Sequence, residues 1–161
     1  MDNYPFGTNG TRGRGKNTLT LNKCKIKGGI TSNGYEACGI YVANDDVVTV
    51  GSQVEIEVKN GCGILIRGGK VTVKSGVKIN LTTDKPEGFG GMVGDSEIVM
   101  YQSGIIFHQT ANYPDKANME LTVEDGVTIN AIAHSIEVLS EEENPKVTIG
   151  QGQYVPAYPE V

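Results

Sequence analysis

The sequence predicts an all-β fold, a parallel β-helix solenoid of about six coils with three short strands in each coil. The first observation is a repeated unit in which apolar residues stand at offsets 0, 2, 6 and 8. Three units share this spacing: Val48, Val50, Val54, Ile56; Val71, Val73, Val77, Ile79; and Leu121, Val123, Val127, Ile129. Looser copies begin at Leu19, Ile98 and Val147, so successive units start 23 to 29 residues apart.

The residues between the apolar positions are the second observation. An apolar residue at every second position predicts a half-buried strand whose intervening side chains face outward. On the first strand these outer residues run Thr20, Thr49, Thr72, Val99, Thr122, Thr148. On the second strand Lys25, Glu55 and Lys78 alternate in sign, and opposite charges on adjacent strands stabilise the pair by about 0.2–1 kcal/mol. Both patterns favour strands stacked in register.

A further apolar segment after each strand pair predicts the third strand of the coil. These segments cover residues 37–42, 61–66, 90–94 and 133–138. Turn-rich tripeptides such as GSQ, KSG and EDG separate the first strand from the second. Three strands and three turns then make one coil, which hydrogen-bonds to the next coil at ~4.8 Å.

The charges divide the chain unevenly. Residues 1–30 contain six Lys and Arg against one Asp, whereas residues 31–161 contain eight against eighteen Asp and Glu. We therefore expect a basic, Gly-rich leader over 1–17, the β-helix over 18–155 and a tail over 156–161. Solvated flexibility is the default expectation for the leader. The alternative is docking on an acidic partner surface, for which three leader residues are the candidate contacts: Arg12, Arg14 and Lys16. The pI near 5.0 disfavours nucleic acid as the partner.

No cofactor and no metal are expected. The leader segment GTRGRGKN departs from a phosphate-binding loop at Asn17, where the loop needs Ser or Thr, and it lacks the flanking strand and helix. Three cysteines are an odd number, which argues against a disulfide framework. Cys38 and Cys62 occupy equivalent third-strand positions, so we expect both to be buried and stacked rather than to bind zinc.

Four aspartates are the candidates for acid catalysis: Asp45, Asp46, Asp84 and Asp95. Paired carboxylates can protonate a leaving oxygen and activate water in glycan cleavage. Adjacent residues on a strand point to opposite sides, however, and Asn and Asp are also the usual residues of turns. An enzyme is therefore the less favoured hypothesis, and no catalytic residue is assigned.

Binding is expected on two kinds of surface. Residues 80–97 and 108–118 are long excursions from the coil, and they include the aromatic side chains of Phe89 and Tyr113. The outward residues of the third strand are Tyr41, Leu65, Val93 and then Glu137. The three apolar ones predict packing against a second copy in a homo-oligomer, with cover by another part of the same chain as the alternative.

The first ten residues, MDNYPFGTNG, have neither a basic segment nor an apolar one, so no signal peptide is expected. No run approaches the ~20 apolar residues that a membrane span requires. The expected location is a virion or the cytoplasm of the producing cell, with surface display as an alternative.

The spacing VTV-xxx-V-x-I, the GI-rich third strands and the closing NPKVTIGQGQY (144–154) resemble right-handed parallel β-helix proteins. The likeness is nearest to short modules of gut bacterial surface proteins and of phage head and tail fibres. It implies a non-enzymatic structural or adhesive protein, a fibre or decoration protein of a virion or a surface protein, that displays loops to a glycan or a protein. Two alternatives are a pectate-lyase-like polysaccharide lyase or hydrolase, and a phage-encoded inhibitor of a host protein.

Overall fold

The computed structural model describes residues 6–7, 17–29, 38–42, 45–84, 90–93, 96–99, 102–107, 119–138 and 145–156. These ranges contain seventeen short strands. The strands are β1 (Phe6–Gly7), β2 (Thr18–Leu21), β3 (Lys25–Gly29), β4 (Cys38–Val42), β5 (Val47–Val50), β6 (Glu55–Lys59), β7 (Cys62–Ile66), β8 (Lys70–Val73), β9 (Lys78–Thr82), β10 (Gly90–Val93), β11 (Ser96–Val99), β12 (Ile105–Phe107), β13 (Glu120–Val123), β14 (Thr128–Ala131), β15 (Ile136–Val138), β16 (Lys146–Ile149) and β17 (Gln153–Pro156). Within the same ranges no helix is long and apolar enough to cross a membrane.

Fifteen of these strands form three parallel sheets of five strands each. The first sheet contains β2, β5, β8, β13 and β16; the second contains β3, β6, β9, β14 and β17; the third contains β1, β4, β7, β12 and β15. Each sheet takes one strand from every passage of the chain, which confirms the predicted all-β, parallel β-helix architecture.

The register of the first sheet follows the sequence repeat. Val48 pairs with Val71, and Val71 pairs with Leu121. The outer residues form an unbroken threonine column: Thr20, Thr49, Thr72, Thr122 and Thr148. Inward residues of all three sheets pack into one apolar core, and those before the last coil are mostly buried, as the alternating pattern predicts.

The repeat unit predicted at Ile98 is not a coil. β10 and β11 pair with one another in antiparallel register, Val93 opposite Ser96, and form a separate two-stranded sheet. The predicted third strand over 90–94 is therefore wrong, and β12 occupies that position between β7 and β15. Removing this unit explains why Val99 interrupted the expected threonine column. It also leaves five described strands per parallel sheet where six coils were expected.

Two smaller differences occur at the ends of the stack. Phe6–Gly7, inside the expected leader, pairs in parallel with β4. In the last coil Ile129 pairs with Tyr154, which packs on the core, while Val155 pairs with the exposed Asn130. The repeat that begins at Val147 predicts Gln153 and Val155 at inward positions. This is wrong because the turn between β16 and β17 has three residues, one fewer than the corresponding turns after β5, β8 and β13.

Turn lengths differ sharply between the three corners of the coil. Connections from the first sheet to the second contain three or four residues in every coil. Connections into the third sheet contain two to 22 residues, and those leaving it contain three to twelve. All long insertions therefore enter or leave the third sheet, and the corner between the first two sheets is constant.

Ion pairs cover the outer face of the first sheet beside the threonine column. Glu120 lies between Lys70 Nζ at 2.9 Å and Lys146 Nζ at 3.3 Å, and Lys74 Nζ lies 2.6 Å from Glu124. Hydrogen bonds from Lys70 and then from Lys146 lower the pKa of Glu120. The ammonium group of Lys74, followed by the backbone N–H of Ser75, lowers the pKa of Glu124. These strands are held in register partly by charge.

We expect Glu124→Gln to lower the denaturation midpoint above about pH 4.5, the ordinary pKa of a glutamate. A carboxyl whose pKa is lowered by folding stabilises the fold above the unfolded pKa. That contribution is lost as the pH falls through the folded pKa, so the difference between the two proteins should close on acidification. High salt should also reduce it, because the pair is exposed. Denaturation midpoints measured across this pH range check the prediction, and a pH-independent difference would contradict it.

Candidate functional site

The insertions single out the outer face of the third sheet. The connection between β9 and β12 spans residues 83–104 and includes the β10–β11 hairpin, and the connection between β12 and β13 spans 108–119. Both flank β12, and shorter insertions stand before β4 and after β15. Loops added to a rigid scaffold are the usual places for binding. We therefore treat this face and its insertions as the candidate site.

The centre of the face is a column of outward side chains. Leu65 pairs with Tyr41 on one side and with Ile106 on the other, and Ile106 pairs with Glu137. Tyr41, Leu65 and Ile106 are buried, and none of these three belongs to the core inside the coil. The third sheet is thus covered on both faces over β4, β7 and β12, as is typical of a parallel sheet.

A second column beside it contains polar side chains. Cys38 pairs with Cys62, and the hydrogen bond from Gly63 N to Ser103 O extends this register to Ser103. Ser103 is fully buried and donates its hydroxyl to Glu137 Oε2 at 2.7 Å. It also accepts a hydrogen bond from the backbone N–H of His134 at 3.3 Å. Ser103 therefore ties β15 to the start of β12.

The two stacked thiols are buried, as predicted, and they are not joined in a disulfide. Burial raises the pKa of Cys62 well above its usual range, and the neighbouring Cys38 thiol acts in the same direction. The negative charge of Glu137 contributes further to this shift. Cys62 is consequently a protonated thiol at neutral pH, and it behaves as a small apolar residue rather than a nucleophile.

The base of the long insertion is anchored by Asn60. Its side chain is buried at the turn between β6 and β7, and its backbone has a φ of 60°. Asn60 Nδ2 donates to Asp84 Oδ1 at 2.9 Å, and Asn60 Oδ1 accepts from Asp84 N and Thr83 Oγ1, both at 3.0 Å. Lys59 Nζ lies 2.6 Å from Asp84 Oδ2. Side-chain hydrogen bonds therefore hold the point at which the chain leaves the coil.

The predicted binding residues divide into three groups. Tyr41 and Leu65 are 3% and 0% exposed, so neither side chain is available to a second copy unless its cover moves. Val93 is not in the third-sheet column, because it pairs with Ser96 in the hairpin and Ile106 stands in the expected position. The remaining five lie outside the described residues: Arg12, Arg14, Lys16, Phe89 and Tyr113.

The three candidate catalytic aspartates that the structure describes lie in different surroundings. Asp46 is fully buried before β5, and its Oδ1 accepts from the backbone N–H and the side-chain amide of Asn17 at 2.8 and 2.9 Å. Asp45 is exposed, and Asp84 belongs to the Asn60 anchor. Asp95 lies outside the described residues. Asp46 and Asp84 thus have positions that suit turn and corner hydrogen bonding.

Sequence reasoning missed Ile106, Ser103 and Asn60. A usable signal exists for the first two, since the isoleucine that starts one paired column of the third sheet always follows a glycine or a serine: Gly39-Ile40, Gly63-Ile64, Gly104-Ile105 and Ser135-Ile136. The Gly104-Ile105 pair therefore identifies β12 as a third strand of the coil. Asn60 has a weaker signal, an Asn-Gly pair between two strands, which favours a positive φ.

Comparison with known proteins does not add a relative. No protein-family model, no curated protein and no solved structure matches this chain. The assignment of the β-helix fold therefore rests on the strand pairing itself. Within the described residues no group of three or more His, Cys, Asp or Glu side chains is arranged to hold a metal ion. What the site consists of is a covered, apolar sheet face with an insertion on each side of β12, of which 83–104 is anchored at both ends by side-chain hydrogen bonds.

Proposed function

We propose that this chain is a non-enzymatic structural or adhesive β-helix that binds a glycan or a protein through the insertions flanking its third sheet. The observation that carries the proposal is the unequal distribution of insertions. The connection from the first sheet to the second contains three or four residues in all five coils. The connections before and after β12 are much longer and span 83–104 and 108–119. A scaffold whose function is display would vary where it displays and stay constant elsewhere.

The order at the insertion base supports the same proposal. A binding loop loses less conformational entropy on association when its ends are already held in place. Asn60 and Lys59 hold Asp84 at the start of the long insertion, and Ser103 is held by Glu137 at its end. Both ends of the insertion are therefore attached to neighbouring coils by side-chain hydrogen bonds rather than by the strand ladder alone.

The finer form of the proposal is a fibre or decoration protein of a phage virion, or a cell-surface protein, that adheres to carbohydrate. A stack of short parallel coils, with ion pairs between neighbouring strands of the first sheet, suits a rod-shaped structural protein. The predicted aromatic contacts of this form are Phe89 and Tyr113, and the basic leader residues Arg12, Arg14 and Lys16 would attach the rod to its carrier.

The test removes each insertion with a connection that the chain already uses. Residues 83–102 are replaced by Asn-Gly, copied from Asn60-Gly61 between β6 and β7. In a second variant, residues 108–118 are replaced by Arg-Gly, copied from the β7–β8 connection. The parent and both variants are then applied to immobilised bacterial polysaccharides, acidic and neutral, and to intact bacterial cells. Thr122→Lys on the outer face of the first sheet is the matched control.

We expect the parent and Thr122→Lys to be retained on at least one polysaccharide or cell type. At least one insertion variant should lose most of that retention while it keeps its β circular dichroism. Retention that survives both replacements would contradict the proposal, as would a parent that binds nothing. Release of soluble sugar by the parent in the presence of calcium would instead favour the lyase alternative.

A further inference from the structure

The last coil exposes side chains that belong to core columns. The large apolar side chains that are exposed among the described residues all lie there: Val138 at 49%, Ile149 at 51% and Val155 at 53%. Val155 faces outward beside Asn130, whereas the other two belong to inward columns. Ile149 continues the inward column of Val123, and Val138 continues that of Phe107. Both of these neighbours are buried. Among the described residues, two core columns are thus partly open at the end of the stack.

The two ends have complementary shapes. Each sheet has five strands, so the described chain makes a whole number of coils. At the N-terminal end the three sheets begin, in chain order, with β1, β2 and β3. At the C-terminal end they finish in the same order with β15, β16 and β17. A second copy placed on this end would set its β1 on β15 while its β2 and β3 lie on β16 and β17.

The backbone groups of the two ends also match. In each coil after the first, the N–H at the start of the second-sheet strand donates to the carbonyl just before the neighbouring strand of that sheet, one coil back, as from Glu55 to Cys24 and from Gln153 to Val127, each at 3.0 Å. By the same register Lys25 presents its N–H outward at one end, and Gly152 presents its carbonyl at the other. In the described part of the chain, no strand pairs with the outer edges of β3 or β17.

Charge favours contact between unlike ends. Residues 1–30 carry six Lys and Arg against one Asp, whereas residues 131–161 carry one Lys against five Glu. An N-terminal end placed on a C-terminal end brings net positive charge to net negative charge. Contact between two C-terminal ends would instead bring two acidic segments together, and like charges oppose association.

We propose that copies of this chain stack end to end, with the first coil of one copy continuing the ladders of the last coil of another. Such an interface joins two different surfaces, so each addition regenerates a free end and the product is an open rod. Ile149, Val138 and the carbonyl of Gly152 form one half of the contact. The N–H edge of β2 and β3 forms the other half. This inference goes beyond the display function and stands independently of it.

The test blocks each end separately. Ile149→Lys places a charge on the exposed C-terminal cross-section, where the half-exposed side chain can change without altering the core. Lys25→Pro removes the outward N–H at the first residue of an edge strand, a position that tolerates proline. Val138→Lys and Thr18→Pro repeat the two blocks on other sheets, in case either first variant fails to fold. Sedimentation equilibrium measures the mean mass of each protein and of an equimolar mixture.

For the parent we expect a mean mass above the 17.2 kDa of one chain that rises with concentration and falls with added salt. Each blocked variant alone should have the mass of one chain. Their mixture should give a one-to-one dimer, because each variant retains the end that the other lacks. Dimers of Lys25→Pro alone would indicate contact between C-terminal ends, and a parent of single-chain mass at every concentration would mean no stacking. Either result would overturn the proposal.

Discussion

Replacing Phe107 by alanine is expected to lower the free energy of unfolding by about 4 kcal/mol. Phe107 is the largest fully buried side chain among the described residues, and it lies in the column of Ile66 and Val138. Its truncation removes apolar contacts and leaves a cavity, and the neighbouring coils cannot close this cavity because their ladders fix the strand spacing. Chemical denaturation monitored by circular dichroism measures the change.

Val138→Ala is the matched control for this prediction. Val138 occupies the same column one coil later, but half of its surface is exposed. We expect it to cost less than about 1 kcal/mol, because little buried surface is lost. Similar losses for both variants would show that β12 is not packed inside the coil. They would also remove the assignment of β12 as the third strand between the two insertions.

Replacing Gly63 by alanine should lower the free energy of unfolding by about 2–3 kcal/mol, the upper part of the range for overpacking. A Cβ at this position would lie 2.5 Å from Gly104 O and 2.5 Å from Ile79 Cγ2. The first neighbour is backbone in the next coil, so it cannot move without disturbing the third-sheet ladder. Thermal and chemical denaturation of the variant check the expected loss.

Ser135 is a natural control for the glycine position. Gly39, Gly63 and Gly104 are each followed by another strand of the third sheet, and a Cβ on any of them would meet the carbonyl of the next residue in the column. Ser135 ends the column because β15 is the last described strand of that sheet. Ser135→Ala should therefore change stability by less than about 0.5 kcal/mol. A cost for Gly63→Ala no larger than this would contradict the close-packing argument.

The first and second strands were predictable because their signal is local and redundant. Val48, Val71 and Leu121 alternate with threonine, and both the inward and the outward residues give the same register. The charge alternation of Lys25 and Glu55 agrees with it, and the two residues form an ion pair at 3.3 Å. When the inward and the outward residues of a strand indicate the same pairing register, a register shifted by one residue is excluded.

The unit at Ile98 failed because apolar spacing alone does not distinguish a coil strand from a hairpin strand. Val93 and Ser96 are paired, and only Gly94 and Asp95 separate them in the sequence. A Gly-Asp pair between two short apolar runs is a hairpin signal, and it outweighs a loose match to the repeat. The interruption of the threonine column at Val99 pointed to the same conclusion.

The candidate site was predictable only in outline. The sequence shows that residues 80–97 and 108–118 leave the repeat, but not that both adjoin one sheet face. That knowledge requires the position of β12 between β7 and β15. The roles of Asn60 and Ser103 depend on partners 24 and 34 residues away, Asp84 and Glu137. Polar contacts of this kind leave no periodic trace in the sequence.

The pairing of β8 with β13 bears on how such a rod could acquire new parts. Val71 and Leu121 are 50 residues apart, whereas Val48 and Val71 are 23 apart, yet each pair sits side by side in the same ladder. Closing a loop of twice the length costs only about 0.6 kcal/mol of additional chain entropy. The connection 83–104 can therefore be exchanged for another of different length at little thermodynamic cost, and a lineage could alter this segment while inheriting the rest of the molecule unchanged.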